Sequence, residues 1–299
     1  MATLYTHKAE NINKTWLLVA VFLAFVLGIG YWLATYYQNP GILTIAIIFA
    51  VVMNITSYWY SDKIALSMAK AVPASESQYP ELNNIVENLS ITAGLPKPKV
   101  YIIPDSSPNA FATGRNATHA SVAVTQGLLQ ILSKTELEGV IAHELSHIGN
   151  RDILLQSMVA VLVGFIAILA NMFTHSLMWG GGRRDDDRGS GGSILAVVGI
   201  VFIVLSPLIA QLIQLAISRK REFLADASGA LLTRYPDGLA SALQKISAYS
   251  QPMKTANNAT AHMYISNPFG SKVSSGISKL FMTHPPVEDR IKALTDMAR

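Results

Sequence analysis

The stretch Val140-Ile-Ala-His-Glu-Leu-Ser-His-Ile-Gly-Asn150 holds two histidines four residues apart, with a glutamate directly after the first. Positions i and i+4 of an α-helix lie on the same face, so His143 and His147 can direct ring nitrogens at one ion. Glu144, one step round the helix, would lie beside that ion without binding it. Two ligands and a neighbouring base are typical of a zinc peptidase. Two satisfied surface histidines would give the same pattern, so a further ligand is needed.

The same stretch is predicted to be helical. Ser133 followed by Glu136 has the pattern of a capping box, which satisfies backbone N–H groups at the start of a helix. Apolar residues then recur at helical spacing, and no proline interrupts them. These apolar residues are Leu137, Val140, Ile141, Leu145 and Ile148.

A candidate for the further ligand lies in the segment Arg219-Lys-Arg-Glu-Phe-Leu-Ala-Asp-Ala-Ser228. A catalytic zinc ion normally takes three protein ligands and leaves a fourth position for water. Glu222 and Asp226 are four residues apart on one helix face, so one carboxylate could bind the ion while the other orients a ligand histidine. Alternatively, Glu222 pairs with a neighbouring arginine on a solvated helix.

Two further motifs accompany these segments: Ser107-Pro-Asn-Ala-Phe-Ala-Thr-Gly114 upstream and Phe281-Met-Thr-His-Pro-Pro-Val-Glu-Asp-Arg290 downstream. With four motifs in this order, nearly the whole chain resembles the HtpX group of membrane zinc metalloproteases, within the larger family that includes the CAAX prenyl endopeptidases. The resemblance implies a zincin-like catalytic domain and one zinc ion per chain. It also implies cleavage of misfolded or damaged membrane proteins, a quality-control function in the stress response.

The resemblance further implies a role for each motif residue. His143, His147 and Glu222 match the zinc ligands of the family, Glu144 matches its general base, and Asp226 matches the carboxylate that supports a ligand. All five positions carry the residue that the family pattern requires. The chain is therefore expected to be an active metalloendopeptidase.

The composition indicates a membrane protein. Hydrophobic residues make up 51% of the chain and charged residues only 14%, which is too apolar for an ordinary soluble domain. Four uncharged runs are long enough to cross a hydrocarbon core, which needs about 20 helical residues. The runs are residues 16–37, 42–60, 153–173 and 193–218. The first could instead be a signal peptide, and the last two could be core helices of a large soluble domain.

Positive charge predicts the orientation of these four transmembrane helices. The segments on one side, residues 1–15, 61–152 and 219–299, hold 20 of the 23 Lys and Arg. The positive-inside rule places that side in the cytoplasm. We therefore expect a multi-pass protein of the cell membrane, the inner or cytoplasmic membrane, with its active site on the cytoplasmic side. The net charge of +4 then requires no nucleic-acid partner.

The expected fold class is an α+β membrane protein with a mainly helical cytoplasmic catalytic domain that carries a small β-sheet. Four parts are predicted. Residues 1–60 form a transmembrane hairpin, and residues 61–152 supply the sheet and the two-histidine helix. Residues 153–218 form a second hairpin, and residues 219–299 supply the third ligand. His147 comes six residues before the third run, or about 9 Å along a continuous helix, so the metal should lie close to the membrane surface.

A substrate-binding segment is predicted at Asn109-Ala-Phe-Ala-Thr113. Residues 99–103 and 119–125 have strand patterns on either side of it, so a small sheet could offer a free edge to an extended substrate. From the residues alone, Asn109 and Phe111 are better explained as turn and core residues. The resemblance instead favours a substrate-facing role for Asn109, Ala110, Phe111 and Ala112.

His284 is the remaining candidate. A histidine before Pro285 and Pro286 could donate a hydrogen bond to a tetrahedral oxyanion, or it could cap a helix that begins near Val287. The family's His-Pro motif implies a position near the site without assigning a role.

Two other functions stay open at this level. One is a processing protease with a narrow substrate, as in the prenyl endopeptidase branch. The other is a non-enzymatic membrane adaptor in which zinc is only structural, although such a site would not need Glu144. The chain has no cysteine, which excludes a thiol nucleophile and a cysteine-based zinc site. The expected partners are the membrane and unfolded or membrane-protein substrates.

Overall fold

Two long apolar helices begin the chain in the computed structural model, which describes residues 4–179, 219–270 and 285–298. The helices are α1 (Leu4–Tyr36) and α2 (Gly41–Met68), and they pack against each other. Both contain a segment long and apolar enough to cross a membrane, Asn11–Tyr36 in α1 and the whole of α2. The first two predicted runs therefore lie in candidate membrane-spanning helices.

A small sheet follows α2. Its strands are β1 (Val72–Pro73), β2 (Lys99–Ile103), β3 (Ala110–Gly114) and β4 (Ala120–Thr125). Their order across the sheet is β1-β2-β4-β3, with β2 and β4 parallel and the other pairs antiparallel. The predicted strand at residues 99–103 is confirmed, and the one predicted at 119–125 begins one residue later. β3 is an edge strand, as the sequence predicts.

The helices of the α+β domain pack around this sheet. They are α3 (Pro80–Ala93), α4 (Gln126–Ile131), α5 (Lys134–Gly149), α7 (Arg219–Thr233), α8 (Pro236–Ala248) and α9 (Val287–Met297). Buried apolar side chains of α3, β2, β4, α5 and α8 form its main core. α5 also contacts the edge strand β3. This central helix therefore belongs to the α+β domain, and it carries the two-histidine motif.

The predicted capping box at the start of α5 is confirmed. The backbone N–H of Ser133 donates to Oε2 of Glu136 at 2.7 Å, and the Ser133 side chain accepts from the backbone of Glu136. The same carboxylate accepts from Ser241 at 2.5 Å and from Lys245 at 2.7 Å, both on α8. The first turn of α5 is thus fixed by its own cap and by a neighbouring helix.

A sharp corner separates α5 from α6 (Asp152–Trp179). The two helices together are apolar enough for one span, but they are bent by 87°. The prediction of a continuous helix from His147 into the third run is wrong, because Arg151 adopts a left-handed φ of 60° and ends the helix. The third run, residues 153–173, lies in α6. The fourth run, residues 193–218, lies outside the described residues.

Candidate metal centre

α5 and α7 bring three side chains of the predicted ligand set together. Nε2 of His143 lies 3.2 Å from Nε2 of His147. The carboxylate oxygens of Glu222 lie 3.9 Å from the first of these nitrogens and 3.7 Å from the second. All three side chains are buried. Within the described ranges, they are the only group of histidine and acidic residues that converges closely enough to hold one metal ion.

A glycine allows the close approach of α7 to α5. A Cβ atom at Gly229 would lie 3.0 Å from the backbone nitrogen of His143, which is tighter than ordinary van der Waals contact. Because Gly229 has no side chain, α7 packs directly on the helix turn that carries the first histidine. Glu222, two turns earlier on α7, then reaches the metal centre. The alternative of a solvated Glu222 is wrong, since this residue is only 2% exposed.

His143 is oriented by the carboxylate of Asp226. Its Nδ1 lies 2.9 Å from Oδ1 of Asp226. Arg290 of α9 donates two hydrogen bonds to the same carboxylate, from Nε at 2.8 Å and from Nη2 at 2.7 Å. Burial would raise the pKa of Asp226, but the charge and hydrogen bonds of Arg290 hold it below its ordinary value. The ionised carboxylate keeps the proton of His143 on Nδ1, so the Nε2 lone pair faces the metal centre.

His147 is oriented by a different group. Its Nδ1 lies 3.0 Å from Oδ2 of Asp152, at the first residue of α6. Nδ2 of Asn11, on α1, donates to the other oxygen of Asp152 at 2.7 Å and to the carbonyl of Asn150 at 3.1 Å. Arg221 of α7 donates in turn to Oδ1 of Asn11 at 3.0 Å. A residue of the first candidate membrane helix thus hydrogen-bonds to the carboxylate that contacts His147, a predicted ligand.

The metal centre has a negative electrostatic environment. Burial alone would lower the pKa of His147, but the hydrogen bond to Asp152 and the charges of Glu222 and Asp152 outweigh it and raise the pKa to about 9. A field that stabilises a proton on this ring also stabilises a cation at its Nε2 atom. Two imidazole nitrogens and one carboxylate oxygen, with both rings held from behind by carboxylates, fit a catalytic zinc ion.

Glu144 lies between the metal centre and the edge strand. It is 1% exposed, and the backbone N–H of Ala112 in β3 donates a hydrogen bond to its carboxylate. Burial raises the pKa of Glu144 to about 7, despite the opposing charges nearby. A carboxyl group with this pKa is suited both to accept and to release a proton near neutral pH.

The predicted substrate-binding residues have internal partners in the structure. Nδ2 of Asn109 donates to the carbonyl of Ser266 at 2.9 Å, and the Ser266 N–H donates back to Oδ1 at 3.2 Å. The carbonyl of Ala110 accepts from the N–H of Ile265 at 2.9 Å. Phe111 is buried with its ring centroid 5.1 Å from that of Tyr264. Contact of this segment with substrate stays a prediction. His284 lies outside the described residues.

Sequence reasoning missed three residues behind the histidines: Asn11, Asp152 and Arg290. Asp152 follows His147 by five residues, and only the left-handed turn at Arg151 brings it back towards the ring. Arg290 belongs to a quoted motif, but nothing in that motif indicates a partner on α7. Asn11 carries no local signal, because its partners are more than 130 positions away.

Comparison with known proteins identifies relatives of this chain. The description "Peptidase family M48" matches residues 76–298. A protein named "Protease HtpX homolog" from Thermoanaerobacter pseudethanolicus is 50% identical over 299 residues, covering 99% of this chain and 98% of the relative. A relative of the same name from Pyrococcus furiosus is 50% identical over 289 residues, covering 95% of each chain. The crystal structure of S. mikatae Ste24p is 18% identical with a TM-score of 0.48; the alignment covers 95% of this chain and 64% of that one.

The family match spans more than half of the chain and includes all of the residues that converge in α5 and α7. The relatives are half identical along nearly their entire length. The chain therefore belongs to peptidase family M48, and it is a membrane-associated metallopeptidase.

Proposed function

We propose that this protein is a zinc-dependent endopeptidase in which His143, His147 and Glu222 hold the ion and Glu144 is the general base. The observation that carries this proposal is the convergence of two Nε2 atoms and one carboxylate, all within 4.8 Å of one another, beside a buried glutamate. A purely structural site would need the ligands but not Glu144. The presence of that carboxylate between the ligands and the edge strand therefore favours hydrolysis.

The ion and the side chains around it have different roles in the proposed reaction. Zinc, when bound, supplies a Lewis acid that polarises a carbonyl oxygen and lowers the pKa of water towards about 7. Glu144 accepts the proton of the water that attacks the peptide carbonyl, and it then delivers a proton to the leaving amine. Asp226 and Asp152 hold the two imidazole rings in the tautomer whose Nε2 lone pairs face inward.

The extended substrate would lie along the outer edge of β3, whose only strand partner among the described residues is β4. The N–H of Ala112 points at Glu144, so this edge runs past the base. Ile265 already occupies the carbonyl of Ala110. Beyond that point the N–H of Ala112 is held by Glu144 and the N–H of Gly114 by Ser157 of α6, so a substrate strand would pair through the carbonyl of Ala112. Direct contacts by Asn109 and Phe111, and oxyanion stabilisation by His284, are the less supported parts of this proposal.

The proposed setting is the cell membrane, with four spans and the metal centre on the cytoplasmic side. The two candidate spans α1 and α2 and the charge distribution support it. The relatives are named as HtpX protease homologues, which supports misfolded or damaged membrane proteins as substrates. We keep the predicted division at residues 60, 152 and 218, in which two parts of the catalytic domain alternate with two membrane hairpins.

The test is cleavage of a loosely folded protein such as casein by the full chain purified in detergent. Wild type with zinc should be active, wild type with a chelator inactive, and Glu144→Gln reduced by about 10²- to 10⁴-fold. Glu138→Gln, on the same helix but away from the ligands, is the matched control and should retain activity. Bound zinc in Glu144→Gln should remain near one per chain. A Glu144→Gln protein as active as wild type would reject the assignment.

A further inference from the structure

A cleft of about 490 Å³ lies where the candidate membrane helices meet the α+β domain. Its walls come from α1, α2 and the first turns of α6, and its polar end comes from the turn after β3 and the corner between α5 and α6. None of its lining residues belongs to the metal centre. The described lining residues include no aspartate and no glutamate.

Aromatic residues mark the level of this cleft relative to a membrane. Trp16 of α1 and Trp59 of α2 line it and are 63% and 52% exposed, and Tyr58 lies beside them. Tryptophan and tyrosine concentrate where hydrocarbon meets headgroups, because their rings are apolar and their N–H or O–H groups need a polar partner. The cleft therefore extends from the headgroup level of the bilayer into its hydrocarbon region.

The polar end of the cleft is cationic. The guanidinium of Arg115 lies 4.3 Å from the ring centroid of Trp59, and Arg151 lines the same cleft. Neither arginine forms an ion pair with a carboxylate in the described part of the chain. Arg151 is exposed and holds a left-handed φ of 60°, a conformation that costs a non-glycine residue energy. Two arginines without acidic partners complement a phosphate group.

The opposite end of the cleft is apolar. Val19, Ile55, Leu154 and Met158 line it, and Asn54 lies among them. Oδ1 of Asn54 is buried without a hydrogen-bond partner among the described residues. The lining thus changes from cationic to aromatic to aliphatic, as a phospholipid does from its phosphate to its acyl chains.

We propose that this cleft binds an anionic phospholipid, with its phosphate at Arg115 and Arg151 and one acyl chain against the aliphatic wall. A transmembrane substrate helix is the competing occupant. A helix with its side chains is about 10 Å wide, and a crossing of about 30 Å would need several times the volume of this cleft. The size and the charge both favour the lipid. The proposal does not depend on the peptidase reaction.

The probe is a pair of lipids with identical dibrominated acyl chains, phosphatidylglycerol and phosphatidylcholine, added to the full chain in neutral detergent. Bromine quenches the fluorescence of nearby tryptophans, and Trp16 and Trp59 line the cleft. Phosphatidylglycerol should quench at about tenfold lower concentration than phosphatidylcholine. The double variant Arg115→Gln with Arg151→Gln should lose that preference, with binding of phosphatidylglycerol about tenfold or more weaker.

The matched control is Arg234→Gln, because Arg234 is also exposed with a left-handed φ of 54° but lies between α7 and α8, away from the cleft. It should bind both lipids as wild type does. Lysine at both cleft positions should keep the preference. Ile55→Phe, at a 54% exposed position in the aliphatic wall, should weaken both lipids without adding a tryptophan, and it tests the proposal even if the double glutamine variant does not fold.

Four results would overturn the proposal. Equal quenching by both lipids, or equal losses in the double variant and in Arg234→Gln, would remove the role of the two arginines. Displacement of phosphatidylglycerol by excess inorganic phosphate would make the cleft a site for a free anion. Displacement by a synthetic transmembrane peptide, with the same affinity in wild type and the double variant, would assign the cleft to a helix.

Discussion

The two histidines of the candidate metal centre are held by different parts of the molecule. His143 is held from the C-terminal side, where Asp226 forms a bidentate ion pair with Arg290 of α9. His147 is held from the membrane side, where Asp152 accepts a hydrogen bond from Asn11 of α1. We call these the domain support and the membrane support. Each places a carboxylate behind a ring. In the domain support a bidentate arginine pairs directly with it, whereas in the membrane support an amide donates the short hydrogen bond and the cation, Arg221, lies farther away, with its Nε 3.5 Å from Oδ1 of Asp152.

This difference predicts which support contributes more to the free energy of unfolding. A fully buried ion pair costs much to break, because the remaining charge cannot return to water. The carboxylate of Asp152 would keep the Arg221 cation at 3.5 Å if its amide partner were lost, so neither charge would be left without its counter-charge. The domain support should therefore dominate the stability of the fold, while both supports should matter about equally to the metal.

Breaking the ion pair should have the largest effect. Arg290→Met leaves Asp226 buried without its cation, and Arg290 is itself 0% exposed. We expect the free energy of unfolding to fall by about 3 to 5 kcal/mol, measured by denaturant titration in detergent. Lys292→Met removes the same charge from an exposed position on α9 and should change it by less than about 0.5 kcal/mol. Similar losses of stability in both variants would show that the Arg290–Asp226 pair contributes no more than an exposed charge does.

Removing either carboxylate tests whether the supports are equivalent for the metal. Asp226→Asn and Asp152→Asn should each weaken zinc binding by about 10- to 100-fold, since each leaves a ring less firmly oriented. Competition with a chromophoric chelator measures the Kd. If only one of the two variants binds zinc more weakly, the carboxylate replaced in the other variant does not contribute to zinc binding.

The amide of the membrane support should matter less. Asn11 is 3% exposed. Asn11→Ala removes the 2.7 Å hydrogen bond to Asp152 and the acceptor of Nη1 of Arg221, while Nε of Arg221 remains 3.5 Å from the carboxylate. We expect a loss of about 1 to 2 kcal/mol in unfolding free energy and a smaller drop in zinc affinity than in Asp152→Asn. Asn13→Ala, at an exposed position of the same helix, is the control. If Asn11→Ala has the same unfolding free energy and zinc affinity as this control, α1 does not contribute to the candidate metal centre.

The first turn of α5 lies outside both supports and gives the smallest effect. Burial opposes ionisation of Glu136, but hydrogen bonds from Lys245, Ser241 and Ser133 lower its pKa to about 2, below the ordinary value of 4.5. The contribution of the ionised Glu136 carboxylate to the free energy of unfolding is therefore complete above about pH 4.5, and it is lost as the pH falls towards 2. Lys245 is 45% exposed, so solvent screening limits the contribution to about 1 kcal/mol.

Glu136→Gln should therefore be less stable than wild type at pH 7, and the difference should shrink as the pH approaches 2. Thermal unfolding across this range in detergent measures it. Glu138→Gln, on the same helix, should show no such convergence. A difference between Glu136→Gln and wild type that stays constant down to pH 2 would contradict the pKa argument.

The sequence predicted the features whose signals are local. The helix of His143 and His147, its capping box and the i+4 spacing of Glu222 and Asp226 all lie within single turns or short segments, where backbone geometry links spacing to direction. These residues lie in the predicted helices, and the convergence of both helices at one point agrees with the predicted ligand set. The strands on either side of Asn109 also followed from their apolar pattern.

The sequence could not predict the supports, because they join distant residues. Asn11 and Asp152 are 141 positions apart, and Arg290 and Asp226 are 64 apart; no periodicity connects them. The corner at Arg151 was missed for a different reason. Apolar patterns on both sides are compatible with a continuous helix, although the pair Gly149-Asn150 directly before the corner is typical of a helix end. The left-handed φ itself falls on Arg151, a residue type that carries no signal for it.

That corner of 87° also has a geometric consequence. If α6 crosses the bilayer, α5 lies nearly flat along its surface, and the edge of β3 beside Glu144 lies at a fixed height above the lipid. A peptide bond inside a transmembrane helix has its N–H and C=O groups already paired within the helix. Only a segment that has unwound and risen out of the lipid can reach that height. The corner would then fix the distance between Glu144 and the bilayer, so that a substrate is selected by how far its chain has moved out of the bilayer.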